Sequence, residues 1–171
     1  MSFSVNSPPF GPLTGRALKT MGRSLRIALL GYLLLSTGCF LPRWPVDAPI
    51  TSPFGLRIEG SSLGLHRGVD FQLPDGTEVR AMAGGRVRFA GTQTGFGQVV
   101  WLEHSNSVLT VYAHLSAIHV QTGDNVRNGQ VIGLSGHSGN ATGSHLHFEI
   151  WRNGREVDPV PLLGGLPAGE R

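Results

Sequence analysis

The sequence predicts an all-β fold, a small antiparallel sheet or sandwich with a groove on one sheet face. Residues 54–158 contain many short β-rich runs, glycine-rich turn signals separate the runs, and no window shows a sustained helical period. The turn signals are Asp75-Gly76, Gly84-Gly85, Gly95-Phe96-Gly97, Gly123-Asp124, Asn128-Gly129 and Asn153-Gly154. A domain built from many short strands follows from this pattern.

The predicted strands follow one another between these turns. In the first, Val69, Phe71 and Leu73 alternate with Asp70 and Gln72, which indicates a strand with one apolar face. The remaining runs cover residues 86–90, 99–102, 108–115 and 145–150. No helix is needed to connect them.

The last predicted strand separates polar from apolar residues by face. Side chains alternate along a strand, so His145 and His147 share one side of the sheet. Leu146, Phe148 and Ile150 share the other side and can pack in a core. The two histidines are therefore expected to face a common surface.

Two more strands are expected to contribute to that surface. Counting in twos places His114 and Tyr112 on one face of residues 108–115, while Asp70 opposes its apolar neighbours in the first strand. The apolar face opposite His114 carries Val111, Ala113 and Leu115. Three strands then present polar groups on one side, which predicts a polar groove on one sheet face.

Histidine and aspartate residues in this groove have the composition of a zinc site. Catalytic zinc uses three protein ligands and keeps a fourth position for water. His66, Asp70 and one histidine of the pair His145 and His147 satisfy that count with suitable ligand types. Each piece occurs by chance in other proteins, but together they predict one bound Zn²⁺.

The same residues resemble the M23 family of zinc metallopeptidases, the lysostaphin and LytM type. The similarity runs from about Ile50 to Pro159. It rests on Ser52-Pro53-Phe54-Gly55-Leu56-Arg57, His66-x-x-x-Asp70, Tyr112-Ala113-His114-Leu115 and Gly143-Ser144-His145-Leu146-His147-Phe148-Glu149. The resemblance implies a zinc-dependent endopeptidase that hydrolyses peptide bonds in bacterial peptidoglycan, with residues 54–160 as the peptidase domain.

The resemblance also implies a division of roles within the groove. His66, Asp70 and His147 would bind the zinc ion, and His114 and His145 would form a catalytic pair that does not bind it. Tyr112, from its place beside His114, is a candidate groove residue or a packing residue. His137 lies in a glycine-rich loop before the last strand and is a second candidate for the groove, whereas His104 and His119 are expected to be surface or loop residues.

A different function class stays open beside the enzyme. Some members of this family lack the ligands and act as regulators that activate other cell-wall hydrolases. The chain retains both the ligand set and the catalytic pair, and it lacks coiled-coil or wall-binding repeats, which favours the enzyme. A lipoyl-like carrier is excluded because no lysine follows Lys19.

The N-terminal segment has the pattern of an export signal. Basic residues lead into the uncharged residues 27–35, small residues follow, and Cys39 is the sole cysteine. Gly38-Cys39 resembles a bacterial lipobox, so we expect residues 1–39 to contain a signal peptide that ends at a lipidated Cys39. We expect translation to start at Met21, which gives the signal peptide a short basic beginning. The alternative is an ordinary signal peptide without a lipid. Phe40 in place of aspartate implies, by resemblance to Gram-negative lipoproteins, a periplasmic protein anchored in the outer membrane.

Charge argues against one class of partner, and proline and glycine content indicates the segments on either side of the domain. Four of the 14 basic residues precede Phe40, which leaves ten arginines against eleven acidic residues afterwards, so a nucleic-acid partner is not expected. Residues 40–53 are expected to form a proline-rich tether and residues 161–171 a flexible tail. Oligomeric state and protein partners do not follow from the sequence.

Overall fold

A computed structural model describes residues 42–59 and 62–167 of the chain. The expected signal peptide, its Cys39 and the last four residues of the expected tail lie outside the described residues. The predicted all-β class is confirmed. The elements are β1 (Gly55–Glu59), β2 (Ser62–His66), β3 (Val69–Gln72), β4 (Glu78–Arg80), β5 (Gly85–Gln93), β6 (Gly97–Glu103), β7 (Val108–Leu115), β8 (Ala117–Ile118), β9 (Asn125–Val126), β10 (Val131–Leu134), β11 (His145–Arg152), β12 (Arg155–Val157) and α1 (Pro159–Leu162).

One large antiparallel sheet carries the site. Its strand order is β12-β11-β7-β6-β5-β9, and β3 pairs with β11 off this path. Because β7 occupies one edge of β11, β3 and β12 share the other edge, each along a different part of the strand. Strand β11 is thereby paired along both edges, and its residues have a defined register against β3, β12 and β7.

Two smaller sheets complete the domain. Strands β4, β10 and β8 form a three-stranded antiparallel sheet, and β1 pairs with β2 in a hairpin. The main core lies where the three-stranded sheet packs on one face of the large sheet. It contains Val79 and Ile132 from the small sheet and Phe71, Leu102, Tyr112, Leu146, Phe148 and Ile150 from the large one.

The opposite face of the large sheet has a smaller apolar cluster. Val99, Val111 and Ala113 are fully buried there, and aromatic side chains cover them. The covering residues are Phe96, Trp101, Leu109 and Trp151. Phe96 of this cluster also lines the polar groove, and the cluster protects the second face of the central strands from water.

The predicted side-chain phase is confirmed for β3 and β11 but wrong for β7. Tyr112 points into the main core, where it accepts a hydrogen bond from the Met82 amide at 2.9 Å, while Val111 and Ala113 face the groove side. His114 has a φ of +61°, which takes it out of the alternation. Two residues of β7 oppose one residue of β6 at this point, so a β-bulge delivers His114 to the groove.

The expected tether and tail are packed parts of the domain where the structure describes them. The Trp44 ring packs edge-on against Phe71 with ring centroids 5.7 Å apart, and its Nε1 donates a hydrogen bond to the Gly165 carbonyl at 3.2 Å. Val46 and Ala48 are buried in the core. Apolar burial and backbone hydrogen bonds hold residues 42–53 in place, including an antiparallel bridge between Ser52 and Asp70 of β3.

Candidate metal centre and groove

An open groove of about 950 Å³ lies on the large sheet, on the face away from the main core. The β1–β2 hairpin and the loops around residues 94–96 and 140–144 form its walls. Leu65 and Phe96 supply apolar surface, Arg57 and Arg67 supply positive charge, and imidazoles and carboxylates line its floor. The groove predicted from the sequence is therefore present.

Three ligand-type side chains converge in this groove. His66 ends β2, while Asp70 in β3 and His147 in β11 are directly opposite each other in the antiparallel pairing. Asp70 Oδ1 lies 3.1 Å from His66 Nε2 and 2.8 Å from His147 Nδ1, and the two ring nitrogens are 3.2 Å apart. The potential ligand atoms all lie within 4.8 Å of one another, close enough to share one ion.

The outer nitrogens of both rings are held by acceptors. His66 Nδ1 lies 2.8 Å from the Pro53 carbonyl, and His147 Nε2 lies 2.9 Å from Glu149 Oε1. Each ring therefore keeps a proton on its outer nitrogen, which leaves the inner nitrogen, beside Asp70 Oδ1, as the one that can bind a metal ion once it is deprotonated. Two imidazole nitrogens and one carboxylate oxygen with an open side on the groove fit a catalytic zinc ion.

The pKa values in the cluster follow from burial and charge. Burial would raise the pKa of Asp70, but hydrogen bonds from His147 and His66 outweigh it and hold that pKa well below its usual range. Burial would lower the pKa of His147, yet the carboxylates of Asp70 and Glu149 raise it to about 9. Asp70 is therefore a carboxylate at neutral pH, and His147 holds an extra proton when no metal ion replaces it.

A second imidazole pair lies beside this cluster. The rings of His114 and His145 have centroids 4.5 Å apart, and the His114 ring is 5.9 Å from that of His147. His114 Nδ1 lies 2.8 Å from the Ser138 carbonyl, and His145 Nδ1 lies 2.8 Å from the Gly143 carbonyl. Backbone acceptors thus occupy both Nδ1 atoms and leave the Nε2 atoms for chemistry in the groove.

Burial makes His114 a neutral imidazole at physiological pH. It lowers the pKa of His114, and the hydrogen bond to the Ser138 carbonyl only partly offsets that effect. A neutral imidazole with its Nδ1 proton donated to a carbonyl has a free lone pair on Nε2. His114 is thus prepared to accept a proton from a group in the groove.

Two interlocked loops hold His114 in its left-handed conformation. Its amide donates to the Phe96 carbonyl at 2.9 Å, so the loop before β6 fixes the backbone of the bulge. A Cβ on Gly97 would lie 2.4 Å from the Ser138 carbonyl carbon, and one on Gly139 would lie 2.4 Å from the Gly97 nitrogen. Both loops therefore need glycine at this crossing, and both also contact His114 through their carbonyls.

The remaining histidines and Tyr112 lie away from the groove. His137 is exposed and its Nδ1 pairs with Asp75 Oδ2 at 2.9 Å, so it does not line the groove, and the buried Tyr112 does not either. His104 contacts the Gly84 carbonyl and Thr110 Oγ1, and His119 is exposed. These positions agree with a packing role for Tyr112 and with a loop or surface place for the other three.

Sequence reasoning assigned no role to two residues of the site. Glu149 lines the groove behind His147, and Phe96 forms part of its wall with its ring 6.0 Å from that of His147. The spacing of Glu149 two residues after His147 was a usable signal because it places both on one strand face. Phe96 lies in a loop, and no strand pattern could indicate its direction.

A small antiparallel β domain with a His–Asp–His cluster in an open groove defines a class of metal-dependent hydrolases. The family described as Peptidase family M23 matches residues 64–159, which is more than half of the chain. The protein therefore belongs to peptidase family M23, as the sequence motifs predicted.

Similar proteins extend this assignment. The DD-carboxypeptidase/endopeptidase Mpg of Neisseria meningitidis is 44% identical over 82% of this chain and 32% of its own length. The murein hydrolase activator EnvC of Escherichia coli is 38% identical over 71% of this chain and 28% of its own length. The chain thus spans about a third of the length of the curated relatives it matches. The crystal structure of a zinc-containing peptidase from Vibrio cholerae superimposes with a TM-score of 0.65 at 35% identity, over 69% of this chain and 38% of that one.

Zinc uptake at neutral pH is expected to release about one proton, because the metal replaces the extra proton that His147 holds through its pKa of about 9. Asp70 adds none, since its lowered pKa leaves it already ionised. Titration calorimetry in buffers of different ionisation enthalpy measures the proton count, which should fall as the pH rises through about 9. The His119→Ala variant serves as a control with an unchanged count, and buffer-independent heats at neutral pH would contradict the prediction.

Proposed function

We propose that this protein is a zinc-dependent endopeptidase that hydrolyses peptide bonds in bacterial peptidoglycan. The observation that carries the proposal is the pairing of two sites in one groove. Three ligand atoms within 4.8 Å of one another fit a metal ion, and two further imidazoles lie beside them with Nε2 atoms directed to the groove. A binding protein would need the groove but not the second pair.

The residues of the groove can perform hydrolysis of an amide. When bound to His66, Asp70 and His147, zinc supplies a Lewis acid that polarises a carbonyl and acidifies water. His114, neutral because burial lowers its pKa, can accept a proton at Nε2. With the His145 ring 4.5 Å away, the imidazole pair can then stabilise the oxyanion and return a proton to the leaving amine.

The groove also suits a peptide that carries carboxylates. Leu65 and Phe96 offer apolar contacts along the walls. The Arg57 and Arg67 side chains, which pair with Asp70 at 3.6 Å and with Glu156 at 3.1 Å, add positive charge on the hairpin side. The name of a Vibrio cholerae relative, peptidoglycan DD-endopeptidase ShyA, which is 37% identical over 75% of this chain and 32% of its own length, supports a peptidoglycan peptide as the substrate. Peptidoglycan stem peptides contain free carboxyl groups, which these arginines could contact.

A regulator of other cell-wall hydrolases is the second candidate. The similarity to an activator of murein hydrolases favours it. The complete ligand cluster and the ordered imidazole pair favour the enzyme more strongly, because a regulator does not require either group. The two candidates differ in whether the purified protein itself cleaves peptidoglycan.

The purified protein is expected to release peptides from peptidoglycan in a chelator-sensitive reaction that added zinc restores, and mass spectrometry of the products identifies the bond. His114→Ala and His145→Ala should each lower the rate by about 10²–10⁴-fold while one zinc per chain stays bound, because they move protons without holding the metal. Alanine at His66, Asp70 or His147 should lose the metal as well. The exposed His119→Ala is the matched control.

Two results would contradict the parts of this proposal separately. If the wild-type protein gives no chelator-sensitive product, the regulator becomes the better account. If His114→Ala or His145→Ala loses its zinc, the division into ligands and proton-transfer groups is incorrect even where cleavage is observed.

We also propose that the protein is exported and anchored to the outer membrane, facing the periplasm, through a lipid on Cys39. A peptidoglycan substrate requires a place outside the cytoplasm, and the apolar residues 27–35 followed by Gly38-Cys39 support a lipoprotein signal. Among the residues that the structure describes, no helix is long and apolar enough to cross a membrane.

Cys39→Ala is expected to move the protein from the membrane fraction to the soluble fraction, because a thioether-linked lipid cannot form without the thiol. Phe40→Asp keeps the cysteine and should shift the protein toward the inner membrane, which separates sorting from anchoring. Fractionation on a sucrose gradient measures both outcomes. Unchanged membrane association of Cys39→Ala would refute the anchor.

A further inference from the structure

A buried carboxylate lies directly behind one of the metal-ligand histidines. Glu149 is only 2% exposed and follows His147 by two residues in β11, so both side chains leave the same face of the strand. Its Oε1 is 2.9 Å from His147 Nε2, and its Oε2 is 2.6 Å from Trp151 Nε1. Among the described residues, no lysine or arginine forms an ion pair with it.

We propose that Glu149 is a positioning residue that fixes the tautomer and direction of His147 for the metal ion. The inference rests on the proposed metal site. A carboxylate removed from water is costly unless its oxygens accept strong hydrogen bonds, so its retention here indicates a specific task. Both neighbours of Glu149 are donors, and each of its two oxygens accepts from one of them.

The consequence for His147 is a single ligating tautomer. Because Glu149 Oε1 accepts at Nε2, the ring keeps its proton on that atom when a metal ion replaces the proton of Nδ1, which lies 2.8 Å from Asp70 Oδ1. His66 is oriented differently, by the neutral carbonyl of Pro53 at its Nδ1.

Trp151 explains why a neutral amide could not replace the carboxylate. A glutamine has one acceptor oxygen, but two donors, His147 Nε2–H and Trp151 Nε1–H, point at this position. If its oxygen accepts from His147, its amide group opposes the indole N–H. If it turns over, its amide donates to His147 Nε2 and drives the ring proton to Nδ1, where it blocks the metal.

The test compares zinc affinities of four proteins by competition with a chromophoric chelator. Glu149→Gln should weaken zinc binding by about 10–100-fold relative to the wild type. Trp151→Phe keeps the carboxylate and should bind zinc within about threefold of the wild type. The double variant removes the opposing indole donor, lets the glutamine oxygen serve His147, and should bind zinc more tightly than Glu149→Gln alone.

A second measurement reads the tautomer without any substitution. In the zinc-loaded wild-type protein, long-range ¹H–¹⁵N spectra of the imidazoles should show the His147 proton on Nε2. Thermal unfolding of the four metal-free proteins shows whether an affinity change reflects lost folding. The spectra are recorded on the wild-type protein, so they test the tautomer of His147 even if a variant does not fold.

Three results would overturn the inference. They are wild-type zinc affinity in Glu149→Gln, a double variant that binds no better than Glu149→Gln, and a His147 proton on Nδ1 in the zinc-loaded wild type. Each readout is independent of peptidoglycan cleavage. An inactive wild-type protein that still shows the expected zinc affinities would therefore refute the proposed function and leave the role of Glu149 supported.

Discussion

The register of β11 between β3 and β7 is the constraint on which the site depends. This pairing sets His147 opposite Asp70 on one side and opposite Ala113 on the other. The side-chain period of a strand is two, so a slip of one residue would move Leu146 into the groove and His147 into the core. Leu146, Phe148 and Ile150 of β11 are fully or almost fully buried, and their burial therefore specifies the register that brings the proposed ligands together.

A local departure from regular structure supplies the second half of the site. The bulge in β7 lets Tyr112 anchor the core while His114, two residues later, reaches the opposite face. The loops that cross at Gly97 and Gly139 hold this bulge through the carbonyls of Phe96 and Ser138. The proposed metal ligands thus lie on regular strands, whereas the proposed proton-transfer pair is oriented by carbonyls of the loops packed against them.

How far the sequence predicted this arrangement depends on how local each feature is. The alternation of polar and apolar residues in β3 and β11 was uninterrupted, so it predicted which side chains lie on each face. Ligand chemistry and family motifs selected the histidines and Asp70 as candidates for the site. The face of Tyr112 did not, because the left-handed His114 results from contacts with loops far away in the chain. The packing of Trp44, Val46 and Ala48 was missed although they alternate, since the prolines among them suggested a tether.

Anomalous diffraction at the zinc edge, from crystals of the zinc-loaded protein, tests the central assignment most directly. We expect one peak at about 2.0–2.2 Å from His66 Nε2, an Asp70 carboxylate oxygen and His147 Nδ1. The Nε2 atoms of His114 and His145 should stay outside coordination distance. A peak between His114 and His145, or one bound through His147 Nε2, would contradict the assignment of metal ligands and proton-transfer groups.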